Sequence, residues 1–365
     1  MKKKNFIAAI FAAAAVLLAG SCDKNAWSGE EPAPGDGEVW LKVNLGNPST
    51  KVAAQSATSE QTIRNVQIFV FRAGSGGDAG NLEVAASAGF DQELNVTGGT
   101  FNEIKVKCST GEREIWAVVN DSADRTAGAD AVATKSDFLA LTHELKDARK
   151  DKLLMIGTAG VQTLREGEME IPMQVHRLAA SVVLESVTND FYAPAYRKAN
   201  TFRVEDCYLI NVPASVNFGE TLVPADLPES QWYARRAAET ASPKGDLIYD
   251  KVTTPKVVNY GDSDQTVHTF YAYPNDCAVN EDATWCPRAT LLVLEASVNN
   301  GHEWVKYYYP VAIESGLESN KQYKVKLTIR RPGSLDPNTP VKLGDVQPVI
   351  TVLPWMDGTG YDQEI

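Results

Sequence analysis

The sequence predicts an all-β protein, two β-sandwiches in tandem with one minor helix. Three observations predict it. Short runs rich in Val, Ile, Tyr, Phe and Thr recur along the chain between turn-rich stretches, and helical periodicity is nearly absent. The chain has 365 residues, about two domains at roughly 150 residues each. Hydrophobic residues make up 44% and charged residues 22%, which suits a folded core and not a disordered chain.

The amino terminus reads as an export address. Lys2, Lys3 and Lys4 precede an apolar stretch from Phe6 to Gly20, the length of a signal-peptide core and short for a bilayer span. It ends in Leu18-Ala19-Gly20-Ser21-Cys22, which resembles a bacterial lipobox, with Cys22 receiving the lipid. An ordinary signal peptide with a cysteine at its end is the alternative. Residues 1–21 are then the leader and 22–38 a flexible tether rich in Gly, Pro, Glu and Asp.

The first domain is expected over 39–175. Val39, Leu41, Val43 and Leu45 alternate with Trp40, Lys42 and Asn44, the pattern of a half-buried strand. Gly46–Gln61 is polar and carries no apolar period. A second strand places Val66, Ile68 and Val70 on one face with Phe69 and Phe71 nearby, and ends in the turn-rich Gly74–Asp78. Further strands are expected around Phe101–Lys107, Ile115–Asn120, Leu153–Gly157 and Met169–Val175. The one helix has Ser136 as N-cap and Phe138, Leu141 and Leu145 on one face.

The second domain is expected over 176–365, with the boundary near Val175–His176. Leu178–Val187, Phe202–Val212, Thr266–Tyr273, Ala289–Val298, Trp304–Val311 and Tyr323–Ile329 read as strands. Pro213–Val257 is long and mixed. After the loop Arg330–Pro337 comes a terminal segment, 346–365, with the apolar run Val349–Trp355.

Charge and composition exclude several functions. The net charge is −12, and about −15 for a chain starting at Cys22, against the basic footprint that nucleic-acid binding needs. The 4 His and 5 Cys are dispersed without zinc-ligand spacing, so no metal and no cofactor is expected. Glu112/Glu114 and Asp262/Asp264 are pairs that any acidic chain offers, and they read as solvated turns. Gly74–Gly77 lacks the Lys-Ser/Thr ending of a phosphate loop. His143, His176, His268 and His302 read as surface or core-edge residues. No Gly-x-Ser-x-Gly elbow appears. Trp304 with Tyr307, Tyr308 and Tyr309 could stack on sugars or pack across strands. No catalytic residue is predicted.

The cysteines follow the compartment. With Cys22 lipidated, Cys108 and Cys207 beside apolar runs read as buried thiols. Cys277 and Cys286 lie between strand-like runs and could clip a loop or remain unbonded.

An ordered set of motifs runs through the chain. It comprises the lipobox, a strand and soft loop, then Ile63–Phe71, Ile115–Asn120, Leu154-Met155-Ile156-Gly157 and His176–Val182. Phe270–Asn275, Leu317–Tyr323, Thr328–Asp336 and the late Trp355 complete it. This set resembles the FimA-type fimbrillins, the type V pilin family of Gram-negative surface fimbriae. The resemblance implies two transthyretin-like β-sandwich domains and a precursor lipidated at Cys22 in the outer membrane. It also implies a maturation protease that cuts the loop after the first strand. The matching position here is Lys51 before Val52, where fimbrillins of this type usually carry an Arg. Loss of the removable strand (Val39, Leu41, Val43, Leu45) would open a groove for the terminal strand of another fimbrial subunit. The donor residues would be Val349, Ile350, Thr351, Val352, Leu353 and Trp355. An ordinary last strand packed on its own domain is the alternative for that tail. The alternative for the whole chain is a non-polymerising surface lipoprotein, a fimbrial anchor or a glycan-binding adhesin using Trp304 and Tyr307. Asp121-Ser122-Ala123 resembles a short O-glycosylation motif, and an exposed turn explains it equally well.

Overall fold

The structure is a computed structural model that describes residues 38–46, 60, 62–96, 100–128, 131–233, 245–277, 288–313, 316–338 and 346–355. The chain is nearly all β, as the alternating sequence pattern predicts.

The amino-terminal half begins with β1 (Glu38–Gly46), β2 (Val66–Arg72), β3 (Leu82–Ala88), β4 (Thr100–Ser109) and β5 (Gly111–Val119). After α1 (Lys135–Ala140) come β6 (Thr142–Glu144), β7 (Met155–Leu164), β8 (Gly167–Gln174) and β9 (His176–Arg177). A three-stranded sheet, β4-β1-β8, faces a five-stranded sheet, β3-β2-β5-β7-β9. The alternation of β1 puts Val39, Leu41, Val43 and Leu45 into the space between the sheets. There they pack with Val66, Ile68, Val70, Ile115, Ala117 and Ile171.

β2 is buried on both faces, which explains its near-continuous apolar run. Phe69 and Phe71 point away from β1 and meet Phe138 of α1, with ring centroids 4.8 and 5.5 Å apart. Phe138 in turn meets Phe218 at 5.5 Å. The helix is shorter than its apolar spacing suggests. Thr134, not Ser136, is the N-cap, its hydroxyl accepting from the Asp137 N–H at 3.2 Å. Leu141 already has extended backbone angles at the C-cap. Leu145 belongs to a separate 3₁₀ turn, Leu145–Asp147, beyond β6.

The second half contains β10 (Ala180–Asn189), β11 (Phe202–Ile210), β12 (Val212–Pro213), β13 (Ser215–Asn217) and β14 (Trp232–Tyr233). Next are α2 (Gly245–Ile248), β15 (Tyr249–Val257), β16 (Ser263–Asp264) and β17 (His268–Ala272). β18 (Leu291–Asn299), β19 (Trp304–Ala312), β20 (Lys321–Ile329) and β21 (Val346–Pro354) close the series. One sheet runs β16-β10-β20-β21, with β17 also on β10, and the facing sheet runs β15-β11-β18-β19. Val182, Leu184, Phe202, Leu292, Tyr309 and Val325 are fully buried between them. The apolar cluster continues through Phe218 and Phe138 to Phe69, so the two halves share packed surface. The chain crosses from β9, which pairs with β7 of the first half, to β10 of the second through Leu178-Ala179.

Candidate functional site

Two nine-residue strands stand apart by position. β1 lies in the middle of its sheet, antiparallel to β4 and parallel to β8. Leu41 sits between Val106 and Met169, and Val43 between Ile104 and Ile171. Val39, Leu41, Val43 and Leu45 are all 0% exposed. Lys42 pairs with Glu168, and Lys107 pairs with Glu38 at 2.8 Å, on the outer side of the sheet. A strand in this position satisfies backbone groups on both neighbours, so its departure would leave a slot rather than a trimmed edge.

β21 is the opposite case. Among the described residues it pairs only with β20, in the register Ile329↔Val346, Leu327↔Pro348 and Val325↔Ile350. Val346 is fully buried and Ile350 packs partly against the core. Val349 is 52% and Val352 43% exposed, and Thr351 is exposed as well. Of the six expected donor residues, then, the structure places three in solvent, Ile350 and Leu353 half-buried, and Trp355 inside. In this chain β21 is docked on β20.

Trp355 ends the strand in a cage of residues remote in sequence. Its indole stacks on Tyr271 with centroids 5.6 Å apart and an interplanar angle of 22°. The Arg177 guanidinium lies 4.6 Å from the ring centroid. The indole N–H donates to Glu60 Oε2 at 3.3 Å, and Arg177 Nη1 donates to the Trp355 carbonyl at 3.2 Å. Arg177 Nε and Nη2 also donate to the Glu60 carbonyl at 3.4 and 3.2 Å. The Tyr271 hydroxyl donates to Glu60 Oε1. Burial, and then the adjacent Glu60 charge, push the Tyr271 phenol well above its ordinary range. Sequence reasoning picked out Trp355 and motifs holding Arg177 and Tyr271, but it missed Glu60 and the cluster. The only signal was the apolar character of Trp355 at the end of a strand-like run.

Other expected residues fall as follows. Cys22, Lys51, Val52 and Cys286 lie outside the described residues. Cys277 is half-buried, its N–H bonded to Asn275 Oδ1 at 3.1 Å. Cys108 and Cys207 are buried thiols. Ser122 is exposed, but Asp121 beside it is fully buried and paired with Arg125 at 3.1 Å. Glu114 is held by Trp116 and Lys135. Asp264 is not a solvated turn residue as expected but is buried against Lys256. Burial opposes its charge, and hydrogen bonds from Lys256 and Thr266 outweigh that and hold its carboxyl below the usual value. His143 is not at the core edge but inside it, 2.6 Å from the Tyr273 hydroxyl. Trp304 lies under the Arg203 guanidinium at 4.4 Å and is half-buried, as are Tyr307 and Tyr308, whereas Tyr309 is in the core. Among the described residues no group of three or more His, Cys, Asp or Glu could hold a metal, and no helix is long and apolar enough to cross a membrane.

The comparisons agree with this architecture. Residues 39–188 match the family model of the major fimbrial subunit protein, FimA. The fold is similar to a candidate cell adhesion protein from Parabacteroides distasonis, with a TM-score of 0.63 at 16% identity over 88% of this chain and 100% of that one. A candidate cell adhesion protein from Bacteroides eggerthii gives 0.60 at 19% identity over 89% and 98%. A fimbrilin (FimA) from Porphyromonas gingivalis gives 0.54 at 14% identity over 87% and 98%. The amino-terminal half is thus similar to the major fimbrial subunit family, and the whole fold is similar to that of fimbrilin and cell adhesion proteins. The chain resembles the FimA-type fimbrillins, and the match starts at β1 and runs into β10. That family is structural and not one of enzymes.

Proposed function

We propose that this chain is a structural subunit of a cell-surface fimbria that polymerises by donor-strand exchange and supports adhesion. The precursor is lipidated at Cys22 and held at the outer membrane. A protease cuts between Lys51 and Val52, β1 leaves, and the β21 segment of another fimbrial subunit fills the vacated slot. Its partners are other subunits and the protease.

The observation that carries this reading is the central place of β1. Its four inward side chains are fully buried between two sheets, worth roughly 6–12 kcal/mol at about 1.5–3 each. A slot of that depth, lined on both sides by unpaired backbone, is a template for strand addition. β21 has the same length of nine residues and a largely exposed outer face.

Mass spectrometry of the amino terminus of protein from native outer membrane tests the proposal, together with a denaturant-free gel for oligomers. A start at Val52, or elsewhere in Gly46–Gln61, with a ladder of stable oligomers is expected. A lipidated Cys22 as the only terminus would mean that β1 stays, and an anchor or adhesive lipoprotein would replace the fibre subunit.

A further inference from the structure

The docked tail raises the question of what keeps it from leaving early. Apart from its ends, β21 is held by one ladder at a sheet edge, with Val349, Thr351 and Val352 in solvent. Such a strand opens locally at low cost. The strong contacts gather at Trp355, which is 4% exposed, and Glu60 ties together Trp355, Tyr271 and Arg177, which also touch one another directly. One carboxylate oxygen of Glu60 takes the Tyr271 hydroxyl, the other takes the indole N–H, and its carbonyl takes Arg177. A buried carboxylate so used cannot lose one partner without a desolvation penalty, so the hydrogen bonds through Glu60 hold or open together.

Glu60 belongs to the chain that joins β1 to the rest of the first half. Upstream it is tied through Gly46 to a central strand, and downstream through Ile63, whose backbone pairs with Val96. Cleavage before Val52 cuts the upstream tie and leaves Glu60 eight positions from a new amino terminus.

We propose that Glu60, Arg177 and Tyr271 form a latch on Trp355 that keeps the terminal strand on its own domain until the chain ahead of Glu60 is cut. The latch rests on the strand-exchange reading above. It makes one proteolytic event do two things, emptying the slot in the first domain and loosening the tail of the second. An uncut chain therefore neither accepts nor donates.

Hydrogen–deuterium exchange of the full chain, read over residues 349–353, tests the latch without reference to polymerisation. Four samples are compared: the uncut chain, the chain cut by limited trypsin in the 47–59 segment, and uncut Glu60→Gln and Tyr271→Phe. Exchange is expected to be about ten-fold faster in the cut chain and in Glu60→Gln, the scale of one hydrogen bond to a charged group. Tyr271→Phe keeps the stacked ring, loses one donor, and should show a smaller rise in the same direction. Rates in both uncut variants within about two-fold of wild type would overturn the latch. So would a cut chain that has lost β1 and still protects 349–353. If the cut chain loosens its tail but forms no ladder, the latch stands and the fibre reading fails. If ladders form while the variants leave exchange unchanged, the reverse holds.

Discussion

Leu41→Ala separates the precursor from the assembled state. Leu41 is 0% exposed and lies between Val106 and Met169 in the central strand of its sheet. Neighbours on both sides limit collapse around the missing atoms, so the loss should fall in the upper part of the range for buried leucines, about 3–5 kcal/mol. For a domain of this size that is a drop of roughly 6–20 °C in Tm. Differential scanning calorimetry of the uncut chain reads it directly. If β1 leaves on maturation, fibres grown from the variant contain no Leu41 and should melt like wild-type fibres. A loss below about 1 kcal/mol in the uncut chain would refute the packing described here. A deficit that persists in fibres would refute removal of the strand.

Phe138→Ala removes a fully buried ring that meets Phe69, Phe71, Trp116 and Phe218. It should destabilise by about 3–5 kcal/mol, and urea unfolding followed by circular dichroism should change from one transition to two as the halves uncouple. Burial, with Glu83 adding to it and Arg113 opposing, pushes the Cys108 thiol up to about 12, and burial raises Cys207 well above its ordinary value. Neither should be alkylated by iodoacetamide in the native chain at about pH 8, and both should react in denaturant, read by peptide mass spectrometry. Burial lowers the His143 pKa below the ordinary 6.5, against the pull of Asp121 and Asp147 and with help from Arg125 and Lys152. The unfolded chain therefore takes up the proton first, so stability is full above that value and falls as pH drops through it. Urea midpoints between about pH 7 and 5 should show this slope in wild type and not in His143→Gln, and parallel profiles would refute it.

Much of the fold is legible in the sequence where one face is buried and the other wet. β1 shows as strict alternation, and β2 as an apolar run with aromatics on its second face. β3, Leu-Glu-Val-Ala-Ala-Ser-Ala, carries no legible strand signal because its small side chains have weak strand preference. β15 carries Pro255 and many polar residues because it is a sheet edge. The helix reads longer in the sequence than it is because Phe138, Leu141 and Leu145 share a core while belonging to three different local structures. The cage was illegible for another reason. Trp355 meets Glu60 across 295 positions and Arg177 across 178, and no local period records such pairings.

Pro348 and Pro354 lie within β21, and β1 has no proline. At the edge of a sheet this is harmless, and it protects, since a strand lacking two N–H groups is a poor seed for sideways aggregation. In the middle of a sheet the same two positions would be silent toward either neighbour, leaving Val349–Leu353 as the longest stretch able to pair without interruption. A visiting β21 would therefore form a thinner ladder than the resident β1. In the proposed exchange the balance would have to come from side chains seated in the slot and from the covalent break that would keep β1 from returning. Such an assembly would run in one direction because its starting material would have been destroyed.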